Sequence, residues 1–70
     1  MNYQELATKI HQLLELQTFT RETENEFLEL DEKVRAFVKN STPTELQAFR
    51  KICYGLESFV MIVSGIEHNR

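Results

Sequence analysis

A small all-α domain is the fold that this sequence predicts, and three features indicate it. Apolar residues recur at spacings of three and four in three segments, which is the period of an amphipathic helix. The 70 residues include one proline and two glycines, whereas all-β and loop-rich folds need many such breakers. Thr42, Pro43 and Glu45 supply a strong helix start. We therefore expect a single helical domain over residues 1–70.

The first 39 residues carry two apolar stripes that are out of phase. One comprises Tyr3, Leu6, Ile10, Leu13 and Leu14, and the other Phe27, Leu30, Val34, Phe37 and Val38. Between them, the β-branched and aromatic residues at 18–20 weaken the local helix preference. We predict helices over residues 3–17 and 21–39, with one long bent helix as the alternative. The second helix has two candidate caps, Thr20 and the pair Thr23 with Glu26.

The turn at residues 40–42 is the clearest boundary in the chain. Thr42 is a good N-cap, Pro43 fits the first helical position, and Glu45 completes a capping box. A connection this short predicts antiparallel neighbours. We expect an antiparallel helical hairpin, formed by residues 21–39 and one continuous helix over 43–67, with an additional N-terminal helix alongside. The expected core face of the last helix is Leu46, Phe49, Ile52, Cys53, Leu56, Phe59, Val60, Val63 and Ile66.

Composition narrows the class of protein. A chain of this size buries only about 60% of the surface exposed by its unfolded state, so its stability is marginal without a disulfide, a structural metal or a partner. Cys53 is the only cysteine, which excludes an intramolecular disulfide. The first residues lack a signal-peptide pattern, and the longest apolar run, at 59–63, is far shorter than the roughly 20 residues needed to span a membrane. We expect a cytoplasmic protein with no membrane association.

Charge is unevenly distributed along the chain. Residues 1–32 carry eight acidic and two basic side chains, whereas residues 33–51 carry five basic side chains and one acidic one. A basic segment without interleaved glycine or exposed aromatics is a weak nucleic-acid signal, and the overall charge of −3 opposes phosphate binding. Acids at the start of the second helix and bases at its end also suit the helix dipole. We therefore expect no nucleic-acid partner.

The sequence offers little for catalysis or for metal binding. His11 and His68 lie far apart and have no second ligand at metal spacing, so both are expected to be solvated. Cys53 lies on the apolar stripe, where a small core residue is the simpler interpretation than a nucleophile. The acidic side chains of residues 22–32 suit a solvated helix surface. We predict no enzyme activity, no cofactor and no metal.

The outer face of the last helix carries the main functional signal. Residues 59–63 are all large and apolar, and a helix cannot direct five consecutive side chains at one neighbour. Small residues permit close backbone approach, and Tyr and Met are enriched at interfaces. We predict a partner-binding surface there, although coverage by the protein's own N-terminal helix remains an alternative. Its members are Tyr54, Ser58, Met61, Ile62 and Gly65.

The segment Leu56-Glu57-Ser58, with the apolar residues that follow through Ile66, resembles the last helix of a known family. These are the E-type co-chaperones of the type III secretion needle subunit, the YscE, PscE and EscE proteins. The resemblance covers residues 46–67 and the overall length, whereas the Thr-Pro turn and the aromatic content depart from it. It implies a cytoplasmic co-chaperone that stabilises a TPR-like G-type chaperone and, through it, keeps the needle subunit monomeric.

Two other classes of protein stay open. One is a small homodimeric helical protein, whose second apolar face meets a symmetry mate. The other is a phage- or plasmid-type regulator that blocks a host protein or binds DNA through residues 33–51.

Overall fold

The computed structural model describes residues 2–69 and contains four α-helices over that range. They are α1 (Tyr3–Leu14), α2 (Arg21–Asn40), α3 (Pro43–Ile52) and α4 (Leu56–His68). No strand occurs among the described residues. The predicted all-α class is confirmed, but the arrangement has four helices because the expected last helix is divided.

Two separate helices form from the first 40 residues, as predicted. Helix α1 is capped by Asn2, whose side chain accepts a hydrogen bond from the Glu5 amide at 2.9 Å. It ends at Leu14, three residues earlier than expected, and a connection follows over residues 15–20. Thr20 then caps α2 through a reciprocal capping box with Thr23. Of the two candidate caps, Thr20 is the one used.

The predicted start of α3 is confirmed in detail. The Thr42 hydroxyl accepts a hydrogen bond from the Glu45 amide at 3.2 Å. The Glu45 carboxylate in turn accepts one from the Thr42 amide, also at 3.2 Å. Pro43 occupies the first helical turn, where its missing N–H costs no hydrogen bond.

The prediction of one continuous helix over residues 43–67 was wrong. The chain leaves the helix at Cys53, and α4 begins after Gly55. A Cβ added to Gly55 would overlap the Leu14 side chain, so the glycine lets the end of α1 pack against the backbone at the break. Periodicity does not reveal the interruption, because the apolar stripe continues across it from Ile52 to Leu56.

Two contacts fix the direction of α4 relative to α2. The Phe27 and Phe59 rings stack at 5.6 Å, and Arg35 reaches Glu67 with a nitrogen–oxygen distance of 3.5 Å. Arg35 follows Phe27 along α2, and Glu67 follows Phe59 along α4 by the same number of residues. Helices α2 and α4 therefore run in the same direction, whereas the predicted hairpin would have opposed them.

Helix α1 is the centre of the arrangement. It lies against each of the other three helices, and α2 also lies against α4. The contact between Tyr3 and Phe37 joins the start of α1 to the end of α2, so these two helices are antiparallel. Helix α3 meets α2 and α4 at only a few points, which leaves a gap on the side away from α1.

The core draws on all four helices. Its buried apolar residues are Leu6, Ala7, Ile10, Phe27, Leu30, Val34, Phe49, Cys53, Phe59, Val63 and Ile66. Two residues assigned to the core from periodicity are instead exposed, Val38 at 47% and Val60 at 49%. Leu46, Ile52 and Leu56 are half-buried. The break before α4, and the gap beside α3, leave these side chains at the edge of the core.

Candidate protein-binding surface

The five residues predicted to bind a partner have different environments. Tyr54 and Met61 are 90% and 74% exposed, and Ser58 and Gly65 are exposed as well. Ile62 is half-buried and packs against the core. The core therefore covers part of Ile62, whereas the other four residues stay accessible, so the alternative of complete internal coverage does not hold.

Tyr54 belongs to the connection between α3 and α4 rather than to a helix. Its ring stacks on the His11 imidazole, with centroids 6.1 Å apart and ring planes inclined by 12°. His11 is half-buried, and its Nε2 atom has no hydrogen-bond partner among the described residues. The expectation of a solvated His11 was therefore wrong, because α1 packs its last turn against the break at residues 53–55.

The two glycines of this region have different surroundings. Gly55 is close to Leu14, as described above. At Gly65, an added Cβ would meet no atom within 4 Å. The described part of the chain therefore gives no steric reason for glycine at position 65. A helical glycine costs about 1 kcal/mol relative to alanine, which leaves close approach by another molecule as a physical reason for it.

A groove lies between α3 and α4, which we call the α3–α4 groove. It is open to solvent and has a volume of about 930 Å³. Its lining residues are Arg50, Cys53, Tyr54, Leu56, Glu57, Val60 and Met61. The groove lies where the chain leaves α3 after Ile52 and enters α4 at Leu56, and the two helices have few contacts with each other.

A smaller and more enclosed apolar crevice adjoins the α3–α4 groove and shares Arg50, Leu56 and Val60 with it. The crevice has a volume of about 170 Å³, and its remaining lining residues are Val34, Val38, Leu46 and Phe49. A hollow of about 150 Å³ in a protein holds a benzene molecule. The crevice is therefore large enough to receive one bulky apolar side chain.

Exposed apolar side chains are concentrated at these two hollows. Of the six large hydrophobic residues that are exposed, four border the groove or the crevice: Val38, Tyr54, Val60 and Met61. The other two, Leu16 and Phe19, lie in the connection between α1 and α2. Scattered exposed hydrophobics need no explanation, but a contiguous patch marks an interaction site.

Sequence reasoning identified the projecting residues of this patch but missed the hollows. Val38, Leu46, Leu56 and Val60 were assigned to the core because they continue the apolar stripes. Their accessibility depends on the gap among α2, α3 and α4, which no local pattern encodes. Arg50 was noted only as part of the basic segment, and nothing in the sequence placed it between two hollows.

The charged side chains around the α3–α4 groove are unpaired. Arg50 on α3 and Glu57 on α4 both line the groove, and neither forms an ion pair within residues 2–69. By contrast, Arg35 of the same basic segment is paired, with Asp31 at 2.8 Å and with Glu67 at 3.5 Å. The basic segment is therefore not a continuous free cationic surface.

Cys53 is buried, as predicted. Burial raises the pKa of its thiol, and a backbone hydrogen bond at Gly55 offsets part of that rise. A raised pKa lowers the fraction of reactive thiolate at neutral pH. Within residues 2–69, no group of three or more His, Cys, Asp or Glu side chains is placed to hold a metal ion.

Comparisons with protein-family models, with curated proteins and with solved structures find no match for this chain. The co-chaperone assignment from residues 46–67 therefore stays a prediction. None of the helices described is both long enough and apolar enough to cross a membrane.

Proposed function

We propose that this chain is a helical co-chaperone that binds a TPR-like chaperone in the bacterial cytoplasm and, through it, helps to keep a needle subunit monomeric. The single observation behind the proposal is the pair of projecting apolar side chains, Tyr54 and Met61, beside an open groove. The resemblance of residues 46–67 to E-type co-chaperones gives the class of partner. The break at residues 53–55 falls within that segment, so the proposal relies on the exposed surface rather than on helix continuity.

Binding through this surface would be driven by apolar burial. Full burial of a large apolar side chain contributes about 1.5–3 kcal/mol, and Met61 and Tyr54 are both largely exposed in a single copy of the chain. A helix of the partner laid along α4 would cover them in a helix-in-groove interaction. Ser58 and Gly65, which are exposed on the same helix, would let the two backbones approach closely. Ile62, which is half-buried, would contact the partner only with the part of its side chain that stays exposed.

A binding role is favoured over a catalytic one by the state of the reactive groups. The Cys53 thiol is buried, with a raised pKa. The basic segment supports DNA binding less than its sequence alone suggests, because Arg35 is held by Asp31 and Glu67. Salt-dependent retention of the chain on duplex DNA would favour the regulator hypothesis instead.

The experiment is co-expression of this chain with a TPR-like chaperone of the G type, followed by affinity purification. Met61→Glu should abolish the complex, because an unpaired carboxylate would be buried at the interface. Leu16→Glu is the matched control, since it places the same charge at an exposed apolar residue in the connection between α1 and α2. Circular dichroism should show both variants folded.

Undiminished complex formation by a folded Met61→Glu variant would exclude this surface. In cells that express the Met61→Glu variant in place of the wild type, the needle subunit should become unstable or aggregate, and secretion should fail. Intact secretion with the complex absent would contradict the co-chaperone role while leaving protein binding in place.

A further inference from the structure

The α3–α4 groove has walls of opposite charge. Arg50 belongs to the last turn of α3, and Glu57 to the first turn of α4. Both line the groove, and neither has an ion-pair partner among residues 2–69. A partner helix that carries only one sign of charge would attract either Arg50 or Glu57 and repel the other. A second surface with the same two charges, rotated by half a turn, would satisfy both.

The apolar part of the surface has the same self-matching property. Met61 and Tyr54 project from it, and the apolar crevice lies beside them as a hollow. Two-fold symmetric interfaces require one patch to complement itself, so that each projecting residue of one copy meets a hollow of the other. The α3–α4 surface meets this requirement, because it contains projecting side chains, an apolar hollow, and one basic and one acidic side chain.

We propose that a second copy of this chain occupies the α3–α4 groove, which makes the isolated protein a two-fold symmetric dimer. Arg50 of each copy pairs with Glu57 of the other, and Met61 of each copy covers the apolar crevice of the other. The inference concerns the isolated chain and does not rest on the proposed TPR-like partner. If both hold, the partner and the second copy compete for Met61, so partner binding separates the dimer.

Charge reversal tests this arrangement without any partner present. In a two-fold dimer, Arg50→Glu creates two carboxylate–carboxylate pairs, and Glu57→Arg creates two cation–cation pairs. Each variant alone should lower the dimer association constant by about tenfold or more. An equimolar mixture should recover dimerisation, because a mixed dimer has only opposite charges across both contacts. The matched control is Lys51→Glu, which makes the same charge change at an exposed residue that does not line the groove.

Sedimentation equilibrium over a concentration series gives the readout, and circular dichroism verifies that each variant folds. The expected pattern is a dimer for the wild type and for Lys51→Glu, a monomer for each groove variant, and a dimer for their mixture. A monomeric wild type, a groove variant that dimerises as well as the wild type, or a mixture that stays monomeric would each overturn the proposal. None of these outcomes bears on partner binding, so the two proposals fail separately.

Discussion

Phe27 of α2 and Phe59 of α4 stack with 5.6 Å between ring centroids and 24° between ring planes. Both side chains are almost completely buried, with exposures of 1% and 0%. Together with the contact between Arg35 and Glu67, which lies farther along both helices, this stacking sets the two helices in the same direction. Val60 and Met61, which directly follow Phe59 in α4, are exposed, so the open side of α4 lies away from this contact.

Truncation of either ring should remove most of the stability of the chain. Phe27→Ala and Phe59→Ala should each lower the free energy of unfolding by about 3–5 kcal/mol, which is a large part of the 5–15 kcal/mol typical of native proteins. Urea denaturation followed by circular dichroism measures the change. Phe19→Ala is the control, because Phe19 also touches Phe27 but is 53% exposed. A Phe59→Ala variant as stable as Phe19→Ala would refute the packing of α2 against α4.

The threonine caps of α2 and α3 should have similar energetic effects. Thr20→Ala and Thr42→Ala each remove a side-chain acceptor from a capping box, and each should destabilise the fold by about 1 kcal/mol. Thr44→Ala, one residue past Pro43 and exposed, should change stability by about 0.5 kcal/mol or less. Thermal melts compare the three variants. Equal effects at positions 42 and 44 would contradict the assigned start of α3.

Substitution of the two glycines by alanine should change the free energy of unfolding in opposite directions. Gly65→Ala should raise the free energy of unfolding by about 1 kcal/mol, because helix preference improves and the added Cβ meets open space. Gly55→Ala should lower it by about 1–3 kcal/mol, because the Leu14 side chain must move away from the break. Chemical denaturation of both variants measures the pair. A Gly55→Ala variant as stable as the wild type would show that the end of α1 does not pack against residue 55, and a destabilised Gly65→Ala variant would show that position 65 is not open.

Alanine substitutions of core residues and of surface residues in the α3–α4 region should have clearly different effects on the free energy of unfolding. Phe49→Ala should cost about 3–5 kcal/mol, because its side chain is 1% exposed. At protein concentrations too low for dimerisation, Met61→Ala should stay within about 0.5 kcal/mol of the wild type. Tyr54→Ala should lose only the contact with His11, and Leu56→Ala should fall between the extremes, since Leu56 is half-buried. If Met61→Ala melts as far below the wild type as Phe49→Ala, the outer face of α4 is internal core.

The elements that could be predicted from sequence are those with local causes. Thr42, Pro43 and Glu45 define the start of α3 through contacts within a single turn. The loss of phase after Leu14 likewise separates α1 from α2. These features depend on neighbouring residues in the chain, so local patterns indicate them.

The break at residues 53–55 has a tertiary cause and was missed for that reason. Gly55 was its only local signal, and its meaning depends on Leu14, which is distant in sequence. The same holds for the α3–α4 groove. The exposure of Met61 follows from helical projection, whereas that of Tyr54 follows from its place in the connection between α3 and α4. The exposure of Val38 and Val60 follows from where α3 and α4 lie.

Methyl-labelled methionine gives the most direct test of the proposed surface. The chain has two methionines, Met1 and Met61, so the ¹³C-methyl spectrum contains two signals, and a Met61→Leu variant assigns them. On titration with the TPR-like chaperone, the Met61 signal should shift or broaden as the surface is covered, while the Met1 signal provides an internal reference. Absence of a complex, or a complex that leaves the Met61 signal unchanged, would contradict the account.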